Sequence, residues 1–207
     1  MPPKAKFKKE EITTAALQLV RERGPKALTA RALGLRLGSS ACPVFTVFAS
    51  MEEVQEAVLC AAREVYKGYV DRGLALSPAF KGVGMQYIQF AIDEPKLFQL
   101  LFMAEHEKVP ELADVLQLID ESYERILSSI TDGYGLTRPR AERLYRHLWI
   151  YSHGIATLCA TGMCRFEAEE IGRLLTEVFT GLLPLMAART PAEAPSQENT
   201  QKGTRHD

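Results

Sequence analysis

Apolar residues recur at helical spacing along most of this chain, and this periodicity restricts the fold more than any other feature. Near the C-terminus, an apolar stripe between Ile171 and Leu183 is too wide to face water. Near the N-terminus, one helix face is formed by Ile12, Ala15, Ala16, Leu19 and Val20. No segment alternates polar and apolar residues as a half-buried strand does. The periodicity predicts an all-α fold of about nine helices without internal repeats.

Capping and helix-breaking residues delimit the first helices. We expect the first helix to end at Gly24, where Pro25 follows, and Thr29 to cap a short second helix from Ala30 to Leu37. A third helix is expected at about 41–47, capped by Ser40.

The remaining helices are longer. Ser50 is the expected cap of a fourth helix that runs to about Asp71. A turn is expected at 132–135, where two glycines stand close together. Five further helices are predicted at 78–93, 95–104, 110–131, 138–162 and 167–188.

Charge is unevenly distributed along the chain. Residues 1–50, which we call the head, carry nine lysines and arginines against three acids, while the remaining 157 residues carry 16 against 23. A basic head on an acidic body (51–188) predicts that only the head meets a polyanion. Residues 189–207 hold two prolines, many polar residues and almost nothing to bury, so we expect a disordered tail.

Within the head, two short helices joined by Leu37-Gly38-Ser39-Ser40 predict a helix-turn-helix. Such a three-helix unit buries a small core and leaves one face of its third helix free to enter the major groove of DNA. The expected core consists of Ile12, Ala16, Leu19, Leu28, Leu33, Leu37, Val44 and Phe48. On these residues alone, an ordinary helical hairpin with solvated charges is the alternative.

Many positions over about residues 8–57 follow one known pattern in register. They are Ile12-x-x-Ala15-Ala16-x-x-Leu19, Gly24, Ala27-Leu28-Thr29-Ala30-Arg31-Ala32-Leu33, Leu37-Gly38-Ser39-Ser40, Phe45-x-x-Phe48-x-Ser50 and Glu53-Val54. Together they resemble the DNA-binding head of the TetR family of transcriptional regulators. In the body, Trp149-x-x-x-His153-Gly154 is similar to a signature of that family's ligand-binding half.

The resemblance implies an N-terminal three-helix DNA-binding domain and a C-terminal helical ligand-binding and dimerisation domain. It further implies a homodimer on pseudo-palindromic, double-stranded operator DNA, acting as a repressor that a small, largely apolar effector releases. A dimeric ligand-binding protein of the same fold with weak or lost DNA binding is the alternative function.

The residues expected to contact DNA combine this resemblance with the chemistry of the duplex. Lys4, Lys6, Lys8 and Lys9 would follow the backbone or the minor groove of DNA as a flexible arm, with a merely solubilising tail as the alternative. Ala41 and Pro43 would offer methyl-type contacts to thymine, and Arg31 would reach a base or a phosphate. The full candidate set is Lys6, Lys8, Thr29, Arg31, Ser39, Ser40, Ala41, Pro43, Phe45 and Thr46.

Three positions in the head depart from the pattern of the resembled family. Phe45 stands where tyrosine is usual, Met51 where lysine or arginine is usual, and Gly34 where alanine is usual. The first two departures remove polar contacts to phosphate. We therefore expect weaker phosphate anchoring than the resemblance alone implies.

Aromatic residues and methionines cluster in the body and predict an apolar effector pocket with few polar anchors. Tyr123 and His153 are the expected anchors. The same residue types at helical spacing also build ordinary cores, which is the alternative. The candidate effector-binding residues are Phe90, Phe102, Met103, Tyr123, Trp149 and His153.

The last two long helices are expected to form a four-helix contact between two subunits, as the resemblance implies. The alternative is that their apolar stripes belong to the core of one subunit. The candidate dimerisation residues are Leu144, Leu148, Leu174, Val178 and Leu182.

The sequence carries no motif of a known enzyme class, and no cofactor or metal site is expected, because His147 and His153 lie on different helix faces. The longest uncharged stretch, His147 to Cys164, is polar enough to predict a buried helix and no membrane partner. Four cysteines without a CxxC pair, and no secretory signal, predict a cytoplasmic protein. Redox roles for Cys42 or for the pair Cys159 and Cys164 stay open.

Overall fold

The computed structural model describes residues 6–104, 116 and 122–188 of the chain. In these residues it consists of α-helices and two 3₁₀ helices, Pro25–Ala27 and Cys42–Thr46, with no strand, as the periodicity predicts. The eight α-helices are α1 (Lys9–Arg23), α2 (Ala30–Arg36), α3 (Met51–Leu74), α4 (Ala79–Asp93), α5 (Pro95–Phe102), α6 (Tyr123–Tyr134), α7 (Arg138–Ala160) and α8 (Ala168–Ala187). The predicted tail, Lys4 of the arm and most of the predicted helix before residue 122 lie outside the described residues.

The head encloses the small core that the sequence predicts. Ile12, Leu33, Val44 and Phe48 are almost completely removed from solvent between α1, α2 and the Cys42–Thr46 helix. Of the eight predicted core residues, only Leu37 is half-buried, at the edge of that core.

Two of the three predicted helix caps are confirmed. The hydroxyl of Thr29 accepts a hydrogen bond from the backbone N–H of Ala32 at 3.2 Å, and the hydroxyl of Ser50 accepts one from Glu53 at 3.4 Å. The prediction that Ser40 caps a helix is wrong, because the residue before the Cys42–Thr46 helix is Ala41 and no side chain caps it.

The third helix of the head is a five-residue 3₁₀ helix and not the predicted α-helix. Its backbone hydrogen bonds close over three residues, as from Val44 N–H to the Ala41 carbonyl at 3.1 Å. Pro43 has no N–H to donate, and a segment this short offers few four-residue bonds, so the tighter helix forms. The Thr46 hydroxyl donates to the Pro43 carbonyl at 2.7 Å and closes the same turn.

Close backbone packing explains why glycine stands at position 34, where the resembled family usually has alanine. A Cβ at this position would lie 2.7 Å from the carbonyl carbon of Ser40 and 2.9 Å from the backbone nitrogen of Ala41. The chain after α2 therefore packs against α2 more closely than any side chain at this position allows. Glycine at position 34 allows the turn to approach this closely.

Helix α4 forms the centre of the body and contacts α3, α5, α6, α7 and α8. It crosses α3 closely near Gly73 and Gly82, because a Cβ on Gly73 would lie 2.7 Å from the Cα of Val83. A buried face of α4, including Ile88, Phe90 and Ala91, fills the centre of the body.

Several helix ends differ from the sequence prediction. Helix α3 continues to Leu74, and α5 ends at Phe102. The turn predicted at 132–135 is confined to its last residue, because α6 continues to Tyr134 and Gly135 then adopts a left-handed φ of 65°. Helix α7 ends at Ala160, two residues early.

The head and the body meet through α1, which packs against α3 and α5. At this junction, Arg21 Nε lies 2.9 Å from Glu94 Oε2, and both side chains are largely shielded from solvent. None of the described helices is long and apolar enough to cross a bilayer.

Candidate functional sites in the head and the body

Several cations of the head are exposed and have no acidic partner among the described residues. Lys6, Lys8 and Arg31 are all exposed, and their ammonium and guanidinium groups form no ion pair there. Lys6 Nζ lies 3.3 Å from the Ser39 hydroxyl. The described end of the basic arm therefore lies beside the turn that precedes the Cys42–Thr46 helix.

Other cations of the head are used to hold its helices in place. Arg36 of α2 forms a two-pronged pair with Glu22 of α1, with both N–O distances 2.7 Å. Hydrogen bonding by Arg36 lowers the pKa of the Glu22 carboxyl. Lys9 pairs with Glu53 at 3.0 Å and so joins α1 to the start of α3. The positive charge of the head thus divides into paired and free groups.

The predicted DNA-reading element is largely apolar at its surface. Ser40, Phe45 and Thr46 are exposed, while Ala41 and Pro43 are half-buried. Of its hydroxyls, that of Thr46 donates within the head. The hydroxyls of Thr29 and Ser39 accept hydrogen bonds from Ala32 and Lys6, so each keeps its own O–H to donate.

Sequence reasoning missed one large exposed apolar side chain of the head, that of Leu35. Leu35 at the end of α2 is 71% exposed, and the free thiol of Cys42 is exposed as well. The apolar periodicity of α2 does not distinguish Leu35 from Leu33, which is buried. Met51, in contrast, is half-buried and packs against the core.

An aromatic cavity of about 350 Å³ lies in the body between α4, α7 and α8. Each of these helices contributes residues of one face, and α3 and α6 contribute Tyr66 and Tyr134. The residues that line the cavity from the three helices are Phe80, Lys81, Val83, Gly84 and Tyr87 on α4, Tyr145, Leu148, Trp149 and Ser152 on α7, and Leu175, Thr176, Phe179 and Thr180 on α8.

Only Trp149 among the six predicted effector residues lines this cavity. Phe90 is fully buried in the core. Met103 follows the end of α5 and is 41% exposed. Tyr123 stacks on the far side of Tyr145 with ring centroids 5.8 Å apart.

Phe102 and His153 form the layer behind Tyr87, which itself lines the cavity. The Phe102 ring centroid lies 5.3 Å from that of Tyr87, and the Tyr87 hydroxyl is 2.8 Å from His153 Nδ1. Burial lowers the pKa of His153. These two residues touch the cavity wall and not the cavity itself.

The predicted dimerisation residues separate into two groups. Leu144 and Leu148 are buried within the subunit, so the prediction that they face a partner is wrong: helix α7 is covered on this side by its own chain. Leu174, Val178 and Leu182 of α8 are half-buried. Ile150 and Leu185, 47% and 65% exposed, are large apolar residues of the last two helices that sequence reasoning missed.

The four cysteines are free thiols, and three of them are exposed. Burial and the neighbouring Cys164 raise the pKa of Cys159. Among the described residues, no group of three or more histidines, cysteines and acids is placed to hold a metal ion.

Comparison with known proteins gives the class of this chain. Residues 80–182, about half of the chain, match the family model of the tetracyclin repressor-like C-terminal domain. A solved structure of a TetR variant from Acinetobacter baumannii AYE in complex with minocycline is similar in fold, with a TM-score of 0.56 and 16% identity over 88% of this chain and 100% of that one. The comparison with curated protein sequences finds no match. The chain belongs to the TetR family of transcriptional regulators, which is not a family of enzymes.

Proposed function

We propose that this protein is an effector-controlled DNA-binding regulator that represses a promoter as a homodimer and leaves its operator when a small molecule fills the cavity of the body. The observation that carries the proposal is the set of exposed, unpaired cations of the head, Lys6, Lys8 and Arg31. Of these, Lys6 lies 3.3 Å from Ser39, in the turn before the Cys42–Thr46 helix. Unpaired surface cations are available to phosphates, and the short helix that follows this turn can approach base edges. The four free thiols suit a reducing cytoplasm.

The dimer is supported by exposed apolar side chains on the last two helices. Ile150 and Leu185 are large, exposed and apolar. Val178, on the same helix as Leu185, is half-buried. A second copy that covers these side chains would bury them in a symmetric four-helix contact. Two heads would then be presented to successive major grooves about 34 Å apart.

Two continuous routes connect the cavity to the head. Helix α3 begins at Met51, directly after the head, and carries Tyr66 to the cavity wall. The Tyr87 ring contacts Phe98 of α5 at 5.7 Å, and Glu94, which precedes α5, pairs with Arg21 of α1. An effector that displaces these rings would favour a different position of the head and so lower operator affinity.

The test is a titration of the DNA upstream of the protein's own gene, followed by fluorescence anisotropy and repeated over a series of salt concentrations. We expect tight binding to this DNA and weaker, strongly salt-dependent binding to a scrambled sequence of equal length. Equal binding to both DNAs at all salt concentrations would contradict the proposal.

Alanine variants test which cations contact bases and which contact phosphates. Arg31→Ala should cost about 1–3 kcal/mol on the operator and much less on scrambled DNA if Arg31 reads a base. Replacing Lys6 and Lys8 together by alanine should flatten the slope of log affinity against log salt by up to about 1.8 on both DNAs. Arg63→Ala on the exposed surface of α3 is the matched control and should change neither quantity.

A dimeric ligand-binding protein without DNA function is the second candidate. The exposed apolar side chains of Leu35 and Phe45 favour it, because they stand where polar contacts to DNA would be expected. This candidate predicts that no DNA fragment binds at moderate salt although the cavity binds small molecules.

A further inference from the structure

We propose that the effector is a small aromatic carboxylate, whose ring system occupies the cavity and whose anionic group binds Lys81 at the mouth. This inference rests on the proposed function, since it names the chemical class that the same cavity takes. Three features support it: the charge of the lining residues, a serine hydroxyl in the cavity wall, and the shape of the walls.

Lys81 is the single charged residue that the described chain contributes to the cavity lining. Its ammonium forms no ion pair with any described acid. Lys81 Nζ lies 4.0 Å from the point that a Cβ of Gly172 would occupy. The ammonium thus lies at the edge where α4 meets α8, against a residue without a side chain, and is open to a ligand.

The absence of a lining carboxylate among the described residues argues against a cationic effector. A cation in this cavity would meet Lys81 and no opposite charge, which is unfavourable in a largely apolar surrounding. Lys81 also borders an adjacent open groove, whose lining includes Arg173 and two acids, Glu169 and Glu177. Of these two acids, Glu177 faces Arg173 at 3.9 Å.

Ser152 supplies a second polar point inside the cavity. Its side chain is 4% exposed and lines the cavity, and its hydroxyl has no hydrogen-bond partner among the described residues. The hydroxyl oxygen lies 3.7 Å from the point that a Cβ on Gly84 would occupy. A serine hydroxyl can donate one hydrogen bond, and an oxygen substituent on a bound ring would accept it.

The walls define the body of the ligand. Phe80, Tyr145, Trp149 and Phe179 present rings to the cavity, and offset or edge-on ring contacts favour a flat aromatic molecule. A volume of about 350 Å³ is near the lower end of the range of about 300–1,000 Å³ for ligand cavities. The cavity therefore suits one or two fused rings and not a long acyl chain or a four-ring system.

The experiment uses three probes that share one naphthalene ring system: naphthoate, naphthamide and naphthylmethylamine. At neutral pH their polar groups are negatively charged, uncharged and positively charged, respectively. Trp149 is the only tryptophan in the chain and lines the cavity, so quenching of its fluorescence reports occupancy without DNA. We expect naphthoate to bind about ten-fold more tightly than naphthamide, and the amine to bind most weakly.

Lys81→Met should remove this preference by weakening naphthoate about ten-fold while naphthamide changes less than about two-fold. Arg173→Gln removes the other cation of the adjacent groove and should leave both affinities unchanged. Ser152→Ala should weaken hydroxynaphthoate but not naphthoate. Circular dichroism of each variant confirms that the helices are intact.

Equal affinity for the acid and the amide, tighter binding of the amine, or an unchanged preference in Lys81→Met would each overturn the proposal. The proposal would also be overturned if none of the three probes quenched the fluorescence of Trp149. This assay contains no DNA, so a negative result here together with specific operator binding refutes the ligand class alone. If the protein does not bind operator DNA more tightly than scrambled DNA, the proposed function is refuted.

Discussion

The head and the body of this protein use charge and packing in opposite ways. In the head, charged groups are numerous and lie at the surface, where some fix the helices and others are free, as the pairs of Arg36 and Lys9 and the unpaired Arg31 illustrate. In the body, one unpaired lysine, Lys81, stands at the mouth of an otherwise uncharged cavity. If the proposed function holds, DNA recognition by the head would depend on many weak contacts and ligand recognition by the cavity on a few.

The two regions also differ in how closely their backbones pack at the functional surface. Gly34 lets the turn before the Cys42–Thr46 helix lie directly against α2. The cavity, in contrast, exists because three helices of the body leave space between their facing side chains. A substitution that forces the backbones apart should therefore lower the stability and the DNA affinity of the head. A substitution of a single lining side chain should change the ligand preference of the cavity.

The largest expected effect tests this contrast. Gly34→Ala places a Cβ within 3 Å of the backbone at Ser40, which should cost about 1–3 kcal/mol in stability and abolish measurable operator binding while Trp149 quenching by naphthoate persists. Gly133→Ala is the matched control, since nothing lies near its Cβ, and should be neutral or stabilise by up to about 1 kcal/mol. Thermal denaturation and anisotropy measure both. Normal operator affinity in Gly34→Ala would show that close packing is not required there.

The next effect concerns the exposed apolar side chains of the last two helices. Leu185→Glu and Ile150→Glu place a charge where the proposed dimer would bury it, so each should yield monomers. Both side chains are substantially exposed in the single chain, so the subunit fold should survive. Light scattering measures the mass, and Gln55→Glu on α3 serves as the control. A stable dimer in both variants would place the subunit contact elsewhere.

A smaller effect is expected at the junction between the two regions. Arg21→Ala removes the pair with Glu94 and should weaken the response of operator binding to a cavity ligand, while the affinities for DNA alone and for ligand alone change less than about three-fold. Arg138→Ala, which breaks an exposed pair with Glu124, should leave the response intact. An unaltered response in Arg21→Ala would leave α3 as the sole route between the sites.

The smallest effect is a pH dependence in the body. Because burial lowers the pKa of His153, the folded protein favours its neutral form. Its contribution to stability is full above the ordinary pKa of about 6.5 and is lost as the pH falls towards the lowered value. His153→Gln should therefore reduce the loss of Tm on acidification. His147→Gln, at an exposed histidine of the same helix, should not change the loss.

The head was largely predictable from sequence because its signals are local. Thr29 and Ser50 cap the expected helices, and the apolar spacing identifies a core centred on Leu33 and Val44. The error at Ser40 has a local cause too, since Pro43 and the shortness of the segment favour a 3₁₀ helix whose start differs by one residue.

The cavity was not predictable in the same way, because it is a property of three helices together. Phe90 and Trp149 have the same chemical character in the sequence, yet one fills the core and the other lines the cavity. Leu144 and Leu148 lie on an apolar stripe that suits a subunit contact as well as a core. Only the packing of α4 against α7 decides between these outcomes.

The most direct test of the coupling between the two regions measures operator affinity by anisotropy with the cavity empty and with it filled. Naphthoate is added at a concentration that saturates the quenching of Trp149, so that occupancy is known in the same sample. The proposed mechanism predicts that operator affinity falls by a factor of about 5–150, the usual range of coupling between sites, and that Lys81→Met requires more naphthoate for the same fall. An operator affinity that stays constant while the cavity is saturated would contradict control of the head by the body.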